Sequence, residues 1–397
     1  MAEKNGSIHK DHRKRLKTRF RKEGLDHFDE LYVLELLLFF GIPQGDTNPL
    51  AHRLLDRPAF WVTEGIVREV NPAAASRFIS PGMGIRDLLS SGYGDYAQFS
   101  SGCLYLTLSI GSAQWPASVT RLGEGDLFTL DPEEEDTGLR CYSLAAQELR
   151  TPLSQLLSIS DQLFPAMETC CDSDAAAGLA RMNRAMHQIL RVVNNMSDAS
   201  RVLMPRMELR DITAVMQEIL DHAEPLCRSA GITLAFENHP EGVYTMLEYQ
   251  QLERAVYNLL SNAMKRTASG GTITVRLKRR LNRVFLTVEN PGSEASPTLS
   301  PGTMSRFLRE PGLEDSRNGL GLGLPLVRAA AAAHHGTLLL EQLKTGGFRA
   351  TMSLPIRQDS GTLRSPVVHI DYAGGRDQAL IELSESLPPE WYLPSNQ

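Results

Sequence analysis

Cysteine is scarce and unpatterned in this chain. Its five residues (Cys103, Cys141, Cys170, Cys171, Cys227) form no CxxC pair and no spacing suited to a metal. That excludes a disulfide framework and a zinc-ribbon-like site, and it suits a reducing compartment with buried thiols. Long apolar runs are missing as well. A membrane span needs about 18 apolar residues in a row, and the best stretch, 31–40, is interrupted by Glu35. The N-terminus is basic but lacks the apolar core of a secretory signal. The expectation is therefore a cytoplasmic protein without membrane contact. A large excess of either charge is also absent: 41 basic against 47 acidic residues gives −6. The balance is uneven, however. Up to Gly24 there are nine basic and three acidic residues, leaving 32 against 44, or −12, for the rest. A basic arm on an acidic body fits either a nucleic-acid contact or a solvated amphipathic helix.

What is present divides into five segments of a multidomain α+β chain. Residues 1–57 combine a basic helical stretch (12–22), a nearly all-apolar helix (31–40) and the turn Gly41-Ile-Pro43-Gln-Gly45-Asp-Thr-Asn48-Pro49. This stretch resembles the N-terminal helical part of the RadC family. The helix-hairpin-helix continuation and His-rich metal domain of that family have no counterpart further along. The resemblance therefore implies a helical adaptor, with DNA binding as the lesser reading.

Residues 58–133 read as mixed. Two short strands flank Gly65 within 62–70, and Asn71-Pro72-Ala-Ala-Ala opens a helix. Leu104, Leu106 and Leu108 alternate with Tyr105 and Thr107 as in a strand with one buried face, and 115–122 and 126–130 add strands. This pattern resembles a PAS sensor domain. Tyr105, Trp115 and Phe128 are candidates for a ligand pocket, with core packing the blander role.

Residues 134–205 predict two long helices. Leu149, Leu153, Leu156 and Leu157 stripe the first, which Pro152 should kink, while Met186, Ile189, Leu190, Val193 and Met196 stripe the second. A hairpin with one apolar stripe buries it by pairing into a four-helix bundle, hence as a dimer. Residues 206–357 alternate helix and strand: helices at 212–230, 248–266 and 324–335, strands at 232–237, 272–277, 283–289 and 347–354. Residues 358–397 suggest one more strand and helix, of unreadable role.

Several phrases in these last segments carry chemistry. Ser143-Leu-Ala-Ala-Gln147-Glu148-Leu-Arg150-Thr151-Pro152-Leu resembles the H-box of sensor histidine kinases, with Gln147 where that family has its phosphoacceptor histidine. An imidazole nitrogen can attack a phosphate; a carboxamide nitrogen, its lone pair delocalised into the carbonyl, cannot do so usefully. Glu148 and Thr151 keep the spacing with which bifunctional members orient water on a receiver's phospho-aspartate. His187 is a conceivable substitute acceptor, but it lies within the apolar periodicity of its helix.

Asn258-Leu-Leu-Ser-Asn262-Ala-Met-Lys265 matches the N-box. Its spacing puts both amides on one helical face with a lysine further along. Gly319-Leu-Gly321-Leu-Gly323 before a helix matches the G2 box, where glycines let amides approach phosphate. Arg306-Phe307-Leu-Arg309 resembles the F-box, making 293–318 a lid. The G1 box departs from its family: Asn290 stands at the aspartate that accepts the adenine amino hydrogen, followed by Gly292, and Glu294 replaces a glycine.

The resemblance thus implies a GHKL α/β sandwich, an ATP-binding fold holding ATP through Asn258, Asn262, Lys265, Asn290, Gly292, Phe307, Gly319, Gly321 and Gly323. Asn262 would carry the Mg2+ that accompanies ATP. The expected function is a histidine-kinase-like signalling protein defective in self-phosphorylation, acting as a scaffold or as a receiver phosphatase. Alternatives are a chain that phosphorylates the histidine of a related kinase in a heterodimer, or a non-enzymatic DNA-associated adaptor. The implied partners are a second copy or a related kinase, and a response-regulator receiver domain.

Overall fold

Glu64 and Gly65 both take positive φ, 55° and 75°. That mirror-image turn matches the twist of a two-residue hairpin, and it joins β1 (Ala59–Thr63) to β2 (Ile66–Val70). The structure, a computed structural model, describes residues 58–89, 91–122, 125–130, 136–170, 173–199, 207–238, 242–292, 323–343, 346–357 and 377–393. The RadC-like segment and the strand expected within 358–376 lie outside them. The described residues form two units, one ending at residue 130 and the other starting at 136.

In the first unit Asn71 caps α1 (Pro72–Ala75). Its Oδ1 accepts from the Ala74 amide at 2.8 Å, and Pro72 occupies the first helical position. Helices α2 (Ile85–Leu88) and α3 (Tyr93–Gln98) precede β3 (Cys103–Ile110), β4 (Ala113–Leu122) and β5 (Gly125–Leu130). The strands run in the order β2-β1-β5-β4-β3, each antiparallel to its neighbour.

The phenyl rings of Phe60 and Phe128 stack at 5.0 Å in its core. Beside them the Tyr96 hydroxyl donates to Asp126 at 2.6 Å, while Arg121 donates to Asp126 at 2.8 Å. Burial, then the Asp126 carboxylate, push the Tyr96 hydroxyl well above its ordinary range. Of the three candidate pocket residues, Phe128 and Tyr105 are buried, and Trp115 is half-buried beneath the Arg77 guanidinium at 4.2 Å. The expectation of one buried face on β3 needs correcting, since Tyr105 is buried along with Leu104, Leu106 and Leu108.

The second unit begins with two long helices, α4 (Asp136–Cys170) and α5 (Ser173–Ala199). Ala146, Leu153 and Leu157 of α4 pack with Leu179, Met186, Leu190 and Val193 of α5. The expected single stripe on α4 is in fact two. Leu149, Leu156, Ile159 and Leu163 point away from α5 and are each about half exposed.

After α5 come β6 (Glu208–Asp211), α6 (Ile212–Ser229), β7 (Thr233–Glu237), β8 (Tyr244–Leu247) and α7 (Tyr249–Met264). Next are β9 (Thr272–Arg280), β10 (Arg283–Asn290), α8 (Gly323–Ala333), β11 (Thr337–Gln342) and β12 (Phe348–Pro355). Strands β11-β12-β10-β9-β7 form a mixed sheet, parallel only at β7–β9, and β6 pairs with β8. Helices α6, α7 and α8 cover this sheet. Burial alternates strictly along β10, so Val284, Leu286, Val288 and Asn290 share its buried face. A short helix α9 (Gln378–Glu382) and a 3-10 turn (Pro389–Tyr392) close the described chain. They pack against α5 and α7, and Ile381 joins the hairpin core.

Candidate functional site

Helix α7 is fixed at its start by Glu248, whose carboxylate accepts from the Gln251 amide at 2.6 Å. The Glu248 amide in turn donates to His334 Nε2 at 3.0 Å. His334 follows α8 and donates through Nδ1 to Ala330 O at 2.7 Å. Burial lowers the His334 pKa, in keeping with a neutral ring that bridges the glycine-led helix to the asparagine-bearing one.

The same two helices meet again at Gly323. A Cβ there would lie 2.8 Å from Asn258 Oδ1, so a larger residue would push the Asn258 side chain out of its place between α7 and α8. Asn258 is fully buried. Its Nδ2 donates to Arg254 O at 2.9 Å, and its Oδ1 accepts from Arg191 Nη2 at 3.2 Å. Asn262 follows one turn later, half-buried, and Lys265 caps the helix C-terminus.

Asn290, the last residue of β10, is buried on the helix-facing side of the sheet. Its Nδ2 has no hydrogen-bond partner among the described residues. An orphaned buried amide costs about 1–3 kcal/mol. A purine ring nitrogen is the kind of acceptor that would relieve it, and Oδ1 can still accept from an exocyclic amine. Gly292 has φ 80°, and a Cβ there would fall 2.4 Å from Gly346 O, so that bend also requires glycine. By these measures the residues suit an adenine nucleotide at the β10 end. Phe307, Gly319, Gly321 and Glu294 lie outside the described residues.

On α4 the helical twist separates the residues around Gln147. Ala146 is buried, whereas Gln147, Glu148 and Thr151 face solvent together. Arg150 turns inward and donates to Asn194 Oδ1 at 2.7 Å. The adjacent Asn195 accepts from Arg254 Nη2 at 2.9 Å, so the glutamine-bearing segment connects through α5 to α7. His187 is buried, bonded through Nδ1 to Asn183 O at 2.9 Å, with its ring edge-on to Tyr392 at 4.9 Å. It packs the hairpin against the C-terminal turn and offers no exposed acceptor.

Sequence reasoning missed the polar face of α5. Asn183, His187, Arg191 and Asn194/Asn195 recur at helical spacing and are all buried. Arg191 binds Glu382 at 3.2 Å and Glu385 at 2.7 Å, and Arg254 binds Glu382 at 3.3 Å. Lys265 is also ion-paired with Glu385. Burial works to raise the Glu385 pKa, yet Arg191 and Lys265 beside it hold it below the usual carboxylate range. The available signal was the four-residue recurrence itself, which reads equally well as a solvated face.

The fold and the converging asparagines and glycines define a class. Residues 248–358 match the family model described as histidine kinase-, DNA gyrase B-, and HSP90-like ATPase. The chain therefore carries an ATPase domain of the GHKL kind, a class that binds ATP, typically with Mg2+.

Its relatives narrow the class. The chain is 26% identical over 244 residues to hybrid signal transduction histidine kinase D of Dictyostelium discoideum, covering 58% of this chain and 15% of that protein. It is 28% identical over 225 residues to sensor histidine kinase CusS of Escherichia coli O6:H1, covering 53% and 44%. Histidine protein kinase DivJ of Caulobacter vibrioides is 28% identical over 236 residues, covering 58% and 40%. Among solved structures, full-length ShkA in complex with AMPPNP aligns over 55% of this chain and 46% of that one, at 18% identity and a TM-score of 0.45. The curated proteins to which the chain is similar are thus histidine kinases. The chain spans less than half the length of those relatives. Among the described residues no helix is long and apolar enough to cross a membrane.

Proposed function

We propose that the chain is an ATP-binding, dimeric member of a two-component system that has lost self-phosphorylation and acts on a receiver domain as a phosphatase or scaffold. The observation that carries this reading is the exposure of Gln147, Glu148 and Thr151 on one side of α4. A carboxamide there accepts no phosphate. Glu148 and Thr151 need no imidazole to position a water against a phospho-aspartate. The water oxygen bonds to phosphorus, the bond from phosphorus to the carboxyl oxygen breaks, and inorganic phosphate and the free aspartate leave. ATP and Mg2+ would be held by Asn258, Asn262, Lys265, Asn290, Gly292 and Gly323, with Phe307, Gly319 and Gly321 completing the site.

Two further features support the architecture. Leu149, Leu156 and Leu163 repeat every seven residues and Ile159 falls between them, leaving an exposed seam of coiled-coil type for a second copy. The β2-β1-β5-β4-β3 order, with helices between β2 and β3, suits a PAS-like sensor unit.

The test uses radiolabelled ATP with Mg2+, then a phosphorylated receiver. The chain alone should take up no acid-labile label. It should speed loss of phosphate from the receiver, and Thr151→Ala should abolish that effect. Self-labelling of the unaltered chain overturns the reading. Labelling of an intact related kinase, with no receiver dephosphorylation, favours the trans-phosphorylating alternative.

A further inference from the structure

The C-terminal turn holds the N-box face of α7 with the charges that nucleotide phosphates would otherwise meet. Glu385 pairs with both Lys265 and Arg191, and Glu382 is buried between Arg191 and Arg254. Three cations therefore converge on two carboxylates of the same chain. Magnesium-bound ATP would offer about the same two negative charges to such a cluster. Asn258, beside Gly323, is turned into this network by Arg191.

The turn is seated on α5 by donors aimed at its carbonyls. Arg184 donates to Ser384 O at 2.9 Å and to Glu385 O at 3.0 Å. Gln188 reaches Ser384 O at 3.2 Å, and Asn183 reaches Tyr392 O at 2.7 Å. Yet the seat is imperfect. The hydroxyls of Ser261 and Ser384 are buried without a hydrogen-bond partner among the described residues. Unmade bonds of this kind weaken a contact that would otherwise be permanent.

We propose that this acidic turn, residues 378–392, is an intrachain competitor of nucleotide phosphate. Glu385 occupies Lys265 and Arg191 until Mg2+–ATP displaces it. The proposal rests on the ATP-binding reading above and adds its regulation. Binding at the phosphate end releases the turn from α5 and α7, so the nucleotide state is passed to the hairpin that carries Gln147. Because Glu382 joins Arg191 of α5 to Arg254 of α7, release also breaks that bridge between the hairpin and the ATPase domain.

Titration of the full chain with a fluorescent ATP analogue and Mg2+ tests this. Glu385→Gln keeps the shape but removes the charge, and it should bind the analogue about tenfold more tightly than the unaltered chain. Independently of any substitution, saturating analogue should speed amide hydrogen exchange in residues 378–387 of the unaltered chain. Equal affinity in both forms, with unchanged exchange in the turn, overturns the competition and leaves ATP binding standing. Absence of binding in both forms overturns the ATP-binding reading itself, and the competition with it.

Discussion

On the proposed reading, Asn290 is a neutral residue set where a charged acceptor would serve the adenine amino group. Its buried position on the helix-facing side of β10 makes it the strongest single handle on affinity. Asn290→Asp removes the orphaned Nδ2 and restores a charge-assisted acceptor. That exchange is worth roughly 1–2 kcal/mol, so the variant should bind an ATP analogue about tenfold more tightly in titration. Gln147 poses the complementary question. Gln147→His in the full chain should acquire an acid-labile, base-stable label from ATP. A variant that binds ATP yet stays unlabelled would show that the acceptor geometry on α4 is wrong.

Glu253 on α7 adds a pH signature. Burial pushes it up to about 7, opposed by the Tyr249 hydroxyl and reinforced by Glu218, Glu382 and Asp377. A carboxyl raised in the folded state binds more protons there than in the unfolded chain. Its contribution is then greatest below about 4.5 and is lost as pH climbs toward 7. The melting temperature of Glu253→Gln, compared with that of the unaltered chain, should gain most at pH 7.5 and little at pH 5.

At the scale of elements, the exposed seam on α4 predicts self-association. Leu149→Glu with Leu156→Glu should convert a dimer to a monomer in light scattering without loss of helicity. Each leucine buried across a seam contributes about 1.5–3 kcal/mol.

The elements themselves were largely legible. Helix α7 and strands β9 and β10 announce themselves by period and by caps such as Glu248, and the Asn71-Pro72 start of α1 follows from local chemistry alone. The short helices α2 and α3 and the strands β6, β8 and β11 were not legible. They span 4 to 6 residues, a length at which period alone decides nothing; β7, of 5 residues, was readable from its place between the neighbouring helix and turn. On the candidate site, the four-residue spacing that sets Asn258 and Asn262 along one side of α7 could be read. The partners of Asn258 could not. Arg191 lies 67 residues away and Glu382 contacts Arg191 across 191 residues, and no local pattern encodes such a meeting.

At the scale of the second unit, the C-terminal turn is structural as well as regulatory. Tyr392 is fully buried, and its hydroxyl donates to Leu380 O at 2.8 Å. Burial pushes that hydroxyl's pKa well above the ordinary range, so it stays protonated as a donor. Tyr392→Ala should cost about 3–5 kcal/mol. Because the ring touches α5 while its neighbours Glu382 and Glu385 touch α7, hairpin and ATPase domain should lose stability together. Differential scanning calorimetry reads this as one transition moving to lower temperature rather than two transitions separating.

The outward setting of residue 147 has a consequence of another kind. Its neighbour Ala146 fills the interface with α5, but position 147 is exposed, so exchanging glutamine for histidine should disturb no packing among the described residues. In the genetic code those two amino acids share their first two bases and differ only in the third. On the proposed reading, acceptor chemistry therefore stands one point mutation from being regained, with no packing barrier against it. A population of cells carrying this chain would sample that exchange continually, so the persistence of glutamine would then reflect selection rather than a structural obstacle.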